Sequence, residues 1–110
     1  MNYRQVDLGF STADGEQMRL AFDGADLTLS FHDWRGQPVA AVFRDVLAFR
    51  WGQEVSADVP RDDIAYEILG SPELGRELQL NGLTDAVGYA HYKLCFNACG
   101  VLDVMCRHIS

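Results

Sequence analysis

The chain has 110 residues, with 16 acidic against 9 basic side chains and a net charge of -7. Almost half of it (48%) is apolar, which excludes global disorder and predicts one domain spanning residues 1–110. The charge argues against nucleic acid as a direct partner: Lys93 is the single lysine, and the arginines are scattered one at a time from Arg4 to Arg107. The same reasoning disfavours an anionic membrane surface, and an acidic surface suits a basic partner instead.

The longest uninterrupted apolar run is Val39–Phe43, far short of the ~20 residues of a spanning helix. The first residues, Met1 to Asp7, lack the apolar stretch of a secretory signal. Cys95, Cys99 and Cys106 make an odd count, so the expectation is reduced thiols and a cytoplasmic location.

Tyr3 to Phe10 alternates weakly and suits either a strand or a short helix. Met18, Leu20 and Phe22 alternate with polar residues, as do Leu27, Leu29 and Phe31. Asp23-Gly24 between them predicts a hairpin. His32 to Pro38 is turn-forming. Val39 to Trp51 is too long for one flat strand, so a bend is expected at Arg44-Asp45. Gln53 to Asp63 reads as an acidic loop containing Pro60. Ile64, Tyr66 and Ile68 alternate and predict a further strand.

A helix is predicted over about 72–80. Ser71 is placed to cap it, Pro72 suits its first position, and Glu73 favours the first turn. Leu74 and Leu78 share a face, and Asn81-Gly82 ends it. The C-terminal part reads as a hairpin of Tyr89–Phe96 and Val101–Ile109 around Asn97–Gly100. Pairing Phe96 with Val101 places His91 opposite Cys106, and leaves Asp103 and Arg107 as inward-looking polar groups that need partners. The expected fold is α+β but mainly β: a curled antiparallel sheet or partial barrel of six to eight strands with one short helix.

Signs of chemistry are sparse. His91, Cys95, Cys99, Cys106 and His108 lack the spacing of zinc knuckles, so no metal site is expected. No Gly-x-Ser-x-Gly elbow and no glycine-rich phosphate loop occurs, so neither a catalytic residue nor a cofactor is assigned. Asp33, Asp45 and the Asp62-Asp63 pair read as turn-formers rather than paired catalytic acids. Trp34 lies in a turn beside Arg35, and both residue types are enriched at binding hot spots.

Several motifs resemble those of small bacterial proteins of uncertain function, similar to immunity-type proteins of toxin systems. They are Leu27-x-Leu29-x-Phe31-x-Asp33-x-x-Gly36, then Phe43-x-Asp45-Val46-x-x-Phe49, Tyr66 with Ser71 and Leu74, and a closing hairpin with His91-Tyr92-x-Leu94-x-Phe96 and Leu102-Asp103-Val104. The resemblance covers residues 26–109. It implies a binding protein and carries no catalytic residues with it.

The expectation is therefore a small non-catalytic binding protein, extending to an immunity-type protein or a homo-oligomer. Trp34, Glu54, Asp58, Asp62 and Asp63 are its candidate surface for a basic protein partner. The alternative is a small-molecule binder or enzyme using a cavity in the curled sheet, with His91, Lys93, Asp103 and Arg107 at the site.

Overall fold

Alternating sequences form strands because one face of each can leave water while the other keeps it. In β3 (Leu27–His32), Leu27, Leu29 and Phe31 are buried, and Thr28 is exposed. The computed structural model describes residues 2–53, 60–83 and 88–110. The remaining elements are β1 (Asn2–Val6), β2 (Glu16–Phe22), β4 (Pro38–Arg44), β5 (Ala48–Gly52), β6 (Ala65–Leu69), α1 (Pro72–Leu80), β7 (Ala90–Phe96), β8 (Gly100–Cys106) and β9 (His108–Ile109).

The strands form two antiparallel sheets, in the orders β1-β6-β7-β8-β5 and β2-β3-β4-β9. The chain is thus mainly β with one helix, and its sheets face each other without closing into a barrel. Leu27, Leu29, Phe31 and Phe43 of one sheet meet Leu94, Phe96, Leu102 and Val104 of the other. At ~25 cal/mol per Å² of apolar area removed from water, this layer is the main stabilising term.

The bend expected after Phe43 is present. Asp45 takes a positive φ of 54° between β4 and β5. Arg44 and the Asp45 N–H both bond to Asp26, which ties this bend to the β2–β3 turn. The helix also forms where its signals lie, with the Ser71 side chain accepting the Leu74 N–H at 3.1 Å. At nine residues it is too short to be stable alone, and Leu74 and Leu78 bury against Met105 of β8.

The C-terminal hairpin differs from expectation by one residue. Phe96 pairs with Gly100, not Val101, so His91 faces Met105 and Lys93 faces Asp103. A slip of one residue moves a strand's side chains to the opposite face. Leu102, Val104 and Cys106 therefore join Tyr92, Leu94 and Phe96 between the sheets, while Asp103 points the other way. Gly100 opens β8 opposite Phe96 and lies close against β5. Its φ is 151°, and a Cβ there would lie 2.4 Å from Gly52 O and 2.8 Å from the Trp51 ring.

The strand expected over Val101–Ile109 is in fact two. The chain leaves the first sheet at Arg107, whose N–H bonds to Arg44 O at 2.9 Å, and β9 adds to β4 of the second sheet. Arg107 is exposed rather than inward-looking, and its guanidinium lies 5.5 Å from the centre of the Tyr89 ring.

Candidate functional site

Trp34 occupies the β3–β4 turn. Asp33 is buried and organises that turn, its Oδ1 accepting the N–H groups of Arg35 at 3.0 Å and Gln37 at 2.9 Å. Gly36 supplies the left-handed conformation (φ 77°), and its N–H bonds to Asp33 O at 2.8 Å. The Gln37 N–H bond leads the effects that hold the Asp33 carboxyl below its ordinary range. Burial opposes it, and the Arg35 N–H and guanidinium add to the lowering. This fixed turn presents Trp34 at 62% exposure, with the Arg35 guanidinium 5.6 Å from its ring centre.

A shallow concavity beside the indole is lined by Trp34, Asp14, Glu16, Gln17 and His32. The loop carrying Asp14 is held to the β7–β8 turn by two bonds. The Asp14 N–H donates to Asn97 Oδ1 at 2.8 Å, and Asn97 Nδ2 donates to Asp14 Oδ1 at 3.1 Å. Sequence reasoning missed Asp14 and Glu16. Nothing in the spacing of Thr12-Ala13-Asp14-Gly15 says that this segment meets the turn holding Trp34.

Of the four acids expected around Trp34, two are described, and they lie at another sheet. Glu54 and Asp58 lie outside the described residues. Asp63 is paired with Arg61 through two bonds of 2.9 Å, and Asp62 is exposed beside it. Both lead into β6, in the sheet opposite that of Trp34.

A second polar cluster lies on the outer face of the five-stranded sheet. One row of paired residues crosses all five strands: Gln5, Tyr66, Lys93, Asp103 and Arg50. Asp103 is its hub. His91 Nε2 is 2.9 Å from Oδ1, Lys93 Nζ is 3.6 Å from the same oxygen, and Arg50 Nη2 is 3.4 Å from Oδ2. Burial pushes the Asp103 carboxyl up, but the His91 hydrogen bond and the Lys93 and Arg50 charges outweigh it, so it lies below the ordinary value. An ionised carboxylate only accepts, so Nε2 of His91 carries the proton. In the neutral imidazole Nδ1 is then an acceptor, and the Ser71 hydroxyl donates to it at 2.8 Å.

Ser71, His91 and Asp103 are thus linked in the order of a nucleophile, a base and an orienting acid. The setting is that of a helix anchor. Ser71 is only 9% exposed, its Oγ already accepts the Leu74 N–H, and the cleft reaching Asp103 between α1 and β5 is not lined by Ser71. Sequence reasoning found the cap but not its bond to His91, because the two residues meet only through the pairing of β6 with β7.

His91, Lys93 and Asp103 therefore share one buried network facing away from the inter-sheet core, while Arg107 lies apart from it at the surface. Among the described residues no three His, Cys, Asp or Glu side chains gather as metal ligands do. Burial pushes the Cys106 thiol up to about 12. No helix among the described residues is long and apolar enough to cross a membrane. No family model, curated protein or solved structure matches the chain.

Proposed function

We propose that this chain is a non-catalytic binding protein that engages a basic protein partner through the surface around Trp34, in the manner of an immunity-type protein. The observation that carries the reading is a large indole held exposed by a turn that is already ordered. Such a side chain gives up little conformational freedom on binding and brings a large contact area.

Charge supports the choice of partner. Arg35 is paired with Asp33 and Arg61 with Asp63. Asp14 and Glu16 make no ion pair among the described residues. A lysine or arginine entering the concavity would find the indole and the Asp14 and Glu16 carboxylates in its lining.

The test is affinity capture from the source cell with the wild-type chain, Trp34→Ala and the double variant Asp14→Asn/Glu16→Gln as parallel baits. The expected result is a basic protein retained by the wild type and lost from both variants, with retention falling as salt rises. Equal retention by all three baits would remove the surface from consideration. An immunity role further requires that the captured protein be toxic to cells lacking this chain and harmless in its presence.

A further inference from the structure

We propose that the outer face of the four-stranded sheet seats a second copy of this chain, the two copies stacking face to face about a twofold axis with their strands antiparallel. The outer faces of the two sheets differ. On the five-stranded sheet, α1 packs Leu74 and Leu78 against Met105. On the four-stranded sheet, Arg19, Ala21, Thr28, Pro38 and Ala40 are exposed, and an open trough of about 760 Å³ crosses β2, β3 and β4.

Strand register lays this face out in three rows. Glu16, His32 and Pro38 form the first, Arg19, Ser30 and Ala40 the second, and Ala21, Thr28 and Val42 the third. Neighbouring rows lie about 7 Å apart, two residues along a strand. Glu16 and Arg19 are the acid and the base of these rows, and neither makes an ion pair among the described residues. A chain of net charge -7 repels its own copies, but a face with one acid and one base adds nothing to that repulsion.

The face is complementary to itself. Take a twofold axis between the stacked sheets, perpendicular to the strands and midway between the first and second rows. It lays Glu16 of each copy over Arg19 of the other. It also lays Trp34, two residues past His32 and 62% exposed, over the third row, where Ala21, Thr28 and Val42 leave room for an indole. Ser30 and Ala40 near the axis are small enough for the sheets to approach to the usual ~10 Å. Pairing through the β2 edge is the other route to a dimer, and a bulge blunts it: the register shifts between Glu16 and Arg19, with Gln17 at a φ of 56°. A copy seated on this face covers the Trp34 concavity, so self-association and a basic partner exclude each other.

Sedimentation equilibrium of the full chain from about 1 μM to 1 mM tests this, with passage from monomer to dimer expected in that range. Glu16 and Arg19 are exposed, so their charge reversals should fold normally. Glu16→Arg and Arg19→Glu are each expected to weaken the dimer about tenfold or more, and the double variant to restore it to within about threefold of the wild type. Leu80→Asp, on the exposed side of α1, is expected to change nothing. The proposal is overturned by a monomer throughout, by single reversals that dimerise like the wild type, or by a double variant as weak as the singles. A monomer whose captured protein is still lost on Trp34→Ala would overturn the dimer and leave the basic-partner reading in place.

Discussion

His91 of β7 donates its Nε2 proton to Asp103 of β8 across 2.9 Å, and both side chains are buried. They are two residues off direct pairing, since Asp103 faces Lys93 and His91 faces Met105. Asp103 thereby answers two polar side chains on β7. The network can sit within a sheet face that also carries Tyr66, Ile68 and Met105 because its polar members are bonded to one another.

Asp103 makes the fold sensitive to acid. Its folded carboxyl lies below the ordinary value of 3.8, so its contribution is present above that pH and is lost as pH falls through the lower folded value. Urea unfolding is expected to show stability falling below about pH 4. Asp103→Asn at neutral pH is expected to cost about 3 kcal/mol, because it removes the one buried negative charge that His91, Lys93 and Arg50 share. The variant should also show a flatter acid limb, and an unchanged limb would assign the acid sensitivity to other carboxylates.

Ser71 serves two partners, so its removal should cost more than a cap alone. Ser71→Ala leaves the Leu74 N–H and His91 Nδ1 unsatisfied together. About 2 kcal/mol is expected, at the upper end of cap substitutions. Thermal unfolding of Ser71→Ala and His91→Ala, with the double variant, separates the two partners. A coupling energy near zero would mean that the serine acts as a cap and nothing more.

Two glycines of adjoining strands should respond oppositely. Gly52→Ala meets nothing within 4 Å and should be near neutral, whereas Gly100→Ala drives a Cβ into Gly52 O and the Trp51 ring. The latter should cost about 2–4 kcal/mol and disturb the β5–β8 pairing. Chemical denaturation measures the difference, and amide exchange in β5 reports where it acts.

The three cysteines should separate by access. Cys95 and Cys106 are buried, and the Cys106 thiol is pushed up to about 12 by that burial. Cys99 is partly exposed in the β7–β8 turn, with Sγ 3.0 Å from Gly15 O. Native protein at pH 8 is expected to release one equivalent of thiol to an aromatic disulfide reagent, and three in denaturant. Rapid native modification of a second cysteine would show that the sheets open more readily than their packing implies.

Local physics made much of this fold legible. Period-two alternation identifies Leu27–Phe31 because the pleat exposes and buries successive residues. The Ser71-Pro72 start and Asn81-Gly82 stop identify α1 because a helix's end groups need specific partners within a few residues. The turn at Asp33–Gly36 is equally local, since Asp33 bonds to the backbone of its own loop. Trp34 could therefore be singled out as a turn residue beside Arg35 from the chain alone.

The candidate site was only partly legible, because it depends on long-range contacts. Asp14 and Glu16 stand beside Trp34 through loop packing, and Asp14 reaches Asn97 across 83 residues of sequence. The last hairpin pairs Phe96 with Gly100, and only a glycine there lets β8 approach Gly52 and Trp51 of β5. That one-residue choice turned Asp103 toward Lys93 and Leu102 into the core.

From the sequence alone followed an acidic, mainly β chain with one capped helix and a scattered set of arginines. The tertiary structure alone decided which acids stand near the indole, and that Ser71, His91 and Asp103 are bonded in series. It also decided that Arg107 is exposed against the Tyr89 ring, with no ion pair to a carboxylate among the described residues. The physical reason is range. Propensity, capping and alternation act over a few residues, whereas ion pairing and burial depend on which distant strands the packing brings together.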